Sequence, residues 1–144
     1  MQKELIFQEF DDLKKTIMLL QASIEKFGPY QIQKIYTPEE LEYYDALSFR
    51  FEKSVELILN FFKGIEIIAY AKTSDTLRDR LLFMQKLNII DDIDFWFDAR
   101  ILRNKISHTY VSEELKDLYT EIYNRSKMIF DTLKRIEKYL EKIN

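Results

Sequence analysis

Apolar residues recur at intervals of three and four along most of the chain, the period of an amphipathic helix rather than the alternation of a strand. Over Lys3 to Phe27 the stripe runs Leu5, Ile6, Phe10, Leu13, Ile17, Leu20 and Ile24, one helix laid on a core, and Gly28-Pro29 stops it. Thr37-Pro38-Glu39-Glu40 opens a second helix, with Thr as N-cap, Pro at the first helical position and acids in the first turn. Leu47, Phe51, Val55, Ile58, Phe62 and Ile65 carry it to about Tyr70, and Gly64 loosens its last turns without breaking it. After the polar segment Lys72-Thr73-Ser74-Asp75, a shorter helix is predicted from Thr76 to about Leu87, with Asn88 as its C-terminal cap. Asp91 or Asp92 caps a fourth, carrying Ile93, Phe95, Trp96, Ala99, Leu102 and Ile106 and ending near His108. Ser112-Glu113-Glu114 restarts the chain as a long fifth helix, with Leu115, Leu118, Ile122, Met128, Ile129, Leu133, Ile136 and Leu140 on its apolar side. The expected architecture is all-α: a single domain, residues 1–144, folded as an antiparallel bundle of about five helices, three of them long.

Composition agrees with this and narrows the chemistry. Two Gly and two Pro in 144 residues leave few turns, so a β-sandwich or barrel is excluded. With 47% hydrophobic and 33% charged residues, the chain is far from the composition of a disordered segment. The absence of Cys removes disulfides, thiol nucleophiles and thiolate metal sites, and a single His excludes a His-rich centre. Asp91, Asp92, Asp94 and Asp98 cluster at a helix start, where capping and dipole compensation account for them better than a metal does. No metal and no cofactor are therefore expected. The first fifteen residues carry charges throughout, and no run of about 18 apolar residues occurs, so the expectation is a cytoplasmic protein without a membrane span.

The net charge of −3 gives no general pull toward nucleic acid, but it is unevenly spread. From Arg100 onward there are ten Lys and Arg against seven Asp and Glu, and the stretch 99–112 holds Arg100, Arg103, Lys105 and His108 with no acid. On a regular helix Asn104 and His108 share one side, while Arg103 and His108 lie about 140° apart. Either the helix frays at His108, or residues of two copies combine across a dimer seam. Near a helix C-terminus the macrodipole favours cations in any case, so Arg103 and His108 also have a purely structural explanation.

Arg103, four residues, His108, one residue and Tyr110, with Asn104 directly after the Arg, resembles the signature of the HEPN superfamily in its HepT-like branch. Leu47-Ser48-Phe49-Arg50-Phe51 and Thr76-Leu77-Arg78-Asp79-Arg80-Leu81-Leu82, with Met84, Lys86, Leu87 and Ile90, resemble the same branch, so the likeness covers roughly residues 41–112. The resemblance implies a metal-independent endoribonuclease toxin that acts as a homodimer with the paired motifs at its interface. It also implies a minimal nucleotidyltransferase partner, an antitoxin of the MntA type, that silences the toxin by transferring AMP to the Tyr of the motif, here Tyr110. On this reading Arg103, Asn104 and His108 are the catalytic residues, and Arg100 and Lys105 are candidate RNA contacts.

The residues suit that chemistry. His titrates near neutral pH and can give or take a proton, and the planar fork of Arg103 matches two phosphate oxygens. Asn104 can fix the imidazole tautomer or hold a phosphate oxygen. With one His per chain, a separate general acid and general base require two copies. An AMP group on Tyr110 would bring bulk and negative charge within two residues of His108. The reading from a different class is a noncatalytic substrate-binding subunit of a nucleotidyltransferase complex, and a helical adaptor without chemistry stands third.

Overall fold

The computed structural model describes residues 2–144, with residue 1 of the expected domain outside that range. Five α-helices follow in order: α1 (Gln2–Glu25), α2 (Pro38–Tyr70), α3 (Leu77–Lys86), α4 (Ile93–Lys105) and α5 (Ser112–Ile143). A single 3-10 turn, Ile106–His108, extends α4, and no strand occurs among the described residues. The expected all-α bundle is what the chain forms.

Local chemistry sets most of the boundaries. Thr37 and Glu40 form a reciprocal capping box, with the Glu40 N–H donating to Thr37 Oγ1 at 3.2 Å and the Thr37 N–H to Glu40 Oε1 at 3.0 Å. Lys34 first, and then these capping bonds, hold the Glu40 carboxyl down at about 2. Thr76 caps α3 through the Asp79 N–H at 3.1 Å, and Asp92 caps α4 through the Asp94 N–H at 3.0 Å. Asn88 ends α3 in the left-handed region at φ 62°, while the Ile89 N–H reaches back to the Met84 carbonyl at 2.9 Å. At the end of α2 the same left-handed conformation falls on Ala71, at φ 58°. α5 starts at Ser112, where the restart of the helix was expected, with Val111 as N-cap and no side-chain cap hydrogen bond. Glu113 and Glu114 in the first turn are what favour that helix end.

The body of the bundle is α1, α2 and α5. Lys3 near the start of α1 reaches the Ile143 carbonyl at 3.2 Å, and Arg50 in α2 donates to Ser23 Oγ near the end of α1 at 2.8 Å. Tyr44 near the start of α2 stacks on Tyr119 near the start of α5, with ring centroids 4.5 Å apart. Thus α1 runs antiparallel to both α2 and α5, which run parallel to each other. Leu20, Leu47, Phe51, Ile58, Phe62, Ile122, Ile129 and Ile136 fill the space between them. The shorter α3 and α4 close the other flank of α2, where Trp96 meets Phe62 edge to face at 5.5 Å. At Gly64, α1 passes so close that Ile6 Cδ1 would lie 3.6 Å from an added Cβ, and α2 continues through it unbroken.

One aliphatic position assigned to the packed face lies outside it: Leu5 is 54% exposed, and Ile6 takes the core position next to it. Phe49, 64% exposed, faces away from the buried stripe that Leu47 and Phe51, one turn apart, occupy.

A buried ion pair ties α3 to α2. Arg80 Nε donates to Glu66 Oε1 at 2.6 Å, the Ser74 hydroxyl donates to Glu66 Oε2, and Arg80 Nη2 donates to the Ser74 carbonyl at 3.0 Å. Burial alone pushes the Glu66 carboxyl up, but the hydrogen bonds from Ser74 and Arg80 outweigh it and hold the group below the usual carboxylate range.

Candidate functional site

The Arg100–Tyr110 segment leaves the bundle in three steps. The α4 ladder ends at Lys105, where the Ile106 N–H turns back to the Arg103 carbonyl and tightens the chain into the 3-10 turn. Thr109 Oγ1 then donates to the Lys105 carbonyl at 2.9 Å, and Tyr110 Oη donates to the Ser107 carbonyl at 3.0 Å. These two side chains satisfy carbonyls that the ending helix leaves open, and they hold the segment in an extended link to α5.

An open groove of about 570 Å³ lies between this segment and the first turns of α5. That volume is in the range of small-ligand sites. Asn104, Lys105 and His108 form one wall, and Glu114, Asp117 and Glu121 of α5 form the other, with Ile101, Leu118 and Thr109 completing it. His108 and Asn104 are both exposed, so the imidazole is open to solvent. Among the lining residues three carboxylates stand against one lysine, and Arg125 at the groove's end pairs with Glu121 at 3.2 Å and Asp98 at 3.8 Å. The groove is acidic.

The structure therefore gathers three of the six candidate residues. Asn104, Lys105 and His108 line the groove, of which Asn104 and His108, four residues apart, were expected to share one side. Arg103 is half-buried and is not among the lining residues; its Nη2 donates to Asn104 Oδ1 at 3.4 Å. Among the described hydrogen bonds of Asn104, that one goes to Arg103 rather than to the imidazole. The fraying of α4 is real, yet it does not carry Arg103 to the side of His108 within one chain. Arg100 is exposed on α4 and is likewise outside the groove lining. Tyr110 is 79% exposed, and its single described contact leaves the phenol at the surface.

Sequence reasoning missed the acidic wall. Glu114, Asp117 and Glu121 recur at three and four on one face of α5, which was a readable signal, but what they face depends on how α5 folds back beside α4. Elsewhere Asp92 acts as a cap and Asp91 accepts both Nη atoms of Arg135 at 2.6–2.7 Å, so this cluster serves helix start and packing. Among the described residues no group of three or more His, Asp and Glu is arranged to hold a metal ion, and none of their helices is long and apolar enough to cross a membrane.

No curated protein and no solved structure matches the chain. A family model described as nucleotidyltransferase substrate binding protein like matches residues 8–142, nearly the whole bundle including all six candidate residues. The chain belongs to the nucleotidyltransferase substrate binding protein-like family.

Proposed function

We propose that the protein is a HepT-like member of the HEPN superfamily, a ribonuclease toxin silenced by a minimal nucleotidyltransferase. The observation that carries this reading is the meeting of Asn104 and His108 on one open groove, with Tyr110 exposed two residues beyond the imidazole. The family match supports the nucleotidyltransferase as the partner.

In the cleavage step the ribose 2′-oxygen attacks the adjacent phosphorus as its proton passes to a neutral imidazole. The bond to the 5′-oxygen breaks, and that oxygen takes a proton from an imidazolium. The products are a 2′,3′-cyclic phosphate and a 5′-hydroxyl. One chain supplies one imidazole and keeps Arg103 outside its own groove, so the reaction calls for two chains, with Arg103 of one facing the phosphate held by the other. In the silencing step the Tyr110 phenolic oxygen attacks the α-phosphorus of ATP bound to the partner. Pyrophosphate leaves, and the phenolic proton goes to solvent. The exposure of Tyr110 suits this, because an enzyme needs the acceptor oxygen clear of the bundle.

The second reading, a noncatalytic substrate-binding subunit, is favoured by the acid wall: Glu114, Asp117 and Glu121 repel a phosphodiester close to His108. A direct experiment separates the two. Purified protein is incubated with RNA in excess chelator, beside His108→Ala. Cleavage by the wild type alone supports the ribonuclease, and identical behaviour of the two proteins sinks it. Coexpression with the cognate nucleotidyltransferase should add the mass of AMP to the wild type and not to Tyr110→Phe, and an unmodified wild type removes the silencing step.

A further inference from the structure

A second groove, of about 420 Å³, opens at the far end of α5, between that helix and the turn that ends α3. Its lining includes Asn88, Lys134, Arg135, Lys138, Tyr139 and Lys142. Asp131 is the one carboxylate in the lining, and it is engaged by Arg135 Nε at 3.2 Å. Arg135 is further occupied by Asp91, so this cation is spent inside the protein. Lys134, Lys138 and Lys142 differ. All three are exposed, and among the described residues none makes an ion pair.

Their spacing of four places the three ammonium groups along one face at steps of about 6 Å, turning by about 40° each time. Like charges four apart on a helix destabilise it, so this arrangement is adverse to the isolated helix. The macrodipole compensates only in the last turn, which holds Lys142. Lys134 and Lys138 lie before that turn and gain nothing from it. A row of unpaired lysines held against self-repulsion beside a concave surface is what a polyanion backbone requires. Tyr139, half-buried among them, adds an aromatic ring of the kind on which an unpaired base stacks.

We infer that this groove binds the phosphate backbone of RNA, holding the substrate about 32 Å along α5 from the His108 groove. The inference rests on the reading of RNA as the substrate. It also removes a difficulty of that reading, since the groove at His108 is acidic and cannot anchor a phosphate chain by itself. RNA is held at the basic end and reaches the imidazole by its length.

The test uses the full chain carrying His108→Ala, so that binding is read without cleavage. Anisotropy of a fluorescein-labelled 20-nucleotide RNA is measured from 50 to 200 mM salt, with and without the triple change Lys134→Ala, Lys138→Ala, Lys142→Ala. Ala is a better helix former than Lys, so the bundle is kept, and circular dichroism verifies it. The expected result is about tenfold weaker binding at 100 mM salt and a salt slope shallower by about 2 for three lost phosphate contacts on a single strand. A second triple, Lys15→Ala, Lys53→Ala, Lys63→Ala, makes the same charge change on other faces and should leave both quantities near the starting values. Equal losses in the two triples, or no loss in the first, overturns the site. Retained RNA binding with lost capture by the nucleotidyltransferase also overturns it and makes the groove a protein-docking surface. Failure of the wild type to cleave RNA would instead strike the ribonuclease reading, leaving this binding comparison readable.

Discussion

The grooves at the two ends of α5 are built on nearly the same face of one helix and carry opposite charge. Glu114, Asp117 and Glu121 each lie 21 positions before Arg135, Lys138 and Lys142. Twenty-one residues turn an ideal helix to within about 60° of its starting face and advance it by about 32 Å. Geometry therefore treats the two triplets alike, and the residue types set them apart. The macrodipole favours this order of signs, acids first and bases last, but only within the terminal turns. Asp117, Glu121 and Lys138 lie deeper in the helix. Their sorting points outward, to what each end of α5 meets: an open imidazole at one end and, on the inference above, a phosphate chain at the other.

The comparison can be broken most directly at the acidic end. If chemistry belongs there, His108→Ala should reduce metal-free RNA cleavage by about 10²–10⁴-fold, the contribution of a lost general acid or base. Initial rates on a labelled RNA in chelator decide this, and a rate within twofold of the wild type moves the chemistry elsewhere.

Next in size is the support of the basic end. The turn at Asn88 is carried by α3, and α3 is pinned to α2 by Arg80 and Glu66. Arg80→Ala strands a carboxylate whose side chain is 1% exposed, so urea unfolding should show a loss of about 3–5 kcal/mol. The same pair predicts a pH dependence. The folded carboxyl of Glu66 lies below its unfolded value, so its contribution is fully present above the ordinary Glu range near pH 4.3 and is lost as pH falls through the lowered value. Thermal melts should therefore drop more steeply in acid for the wild type than for Glu66→Gln, and parallel curves would contradict the assignment.

A smaller effect sharpens the contrast itself. Neutralising the acid wall with Glu114→Gln, Asp117→Asn and Glu121→Gln makes the two grooves alike in sign, and RNA affinity at 100 mM salt should rise by about tenfold. Unchanged affinity would mean that RNA never approaches His108. The smallest change touches neither groove. Gly64→Ala fits at ordinary contact distance from Ile6 and removes a mid-helix glycine, so it should add about 1 kcal/mol, seen as a rise of about 4 °C in Tm with RNA binding unaltered.

How far the sequence was readable follows from the range of each force. Helix starts at Thr37, Thr76 and Asp92 were legible because a cap is an interaction over two or three residues. Asn88 was legible for the same reason, whereas Ala71 takes the same left-handed conformation with nothing in its side chain to announce it. The start of α5 at Ser112 was legible as well, although no side chain caps it and the acids Glu113 and Glu114 of the first turn mark it instead. Leu5 shows the limit of a hydrophobic stripe: apolar character places a residue near the core, and only the packing of its neighbour Ile6 decides which of the two enters. Within the candidate site, helical spacing put Asn104 and His108 on one side, where both line the groove, whereas for Arg103 the sequence left a frayed helix and a dimer seam both open, and within one chain Arg103 stays outside the groove lining.

The sequence by itself determined the helices, the caps at Thr37, Thr76, Asn88 and Asp92, and the single imidazole, since periodicity, capping and composition act within a few positions of the chain. It also set the order of charge along α5. Only the tertiary structure decided which surfaces those charges line. The fold of α5 back against α4 put Glu114, Asp117 and Glu121 opposite His108, and the docking of α3 on α2 made a groove of the lysines at the other end. These pairings depend on burying Trp96, Phe62 and Ile129 together, a sum over distant residues that no local pattern contains.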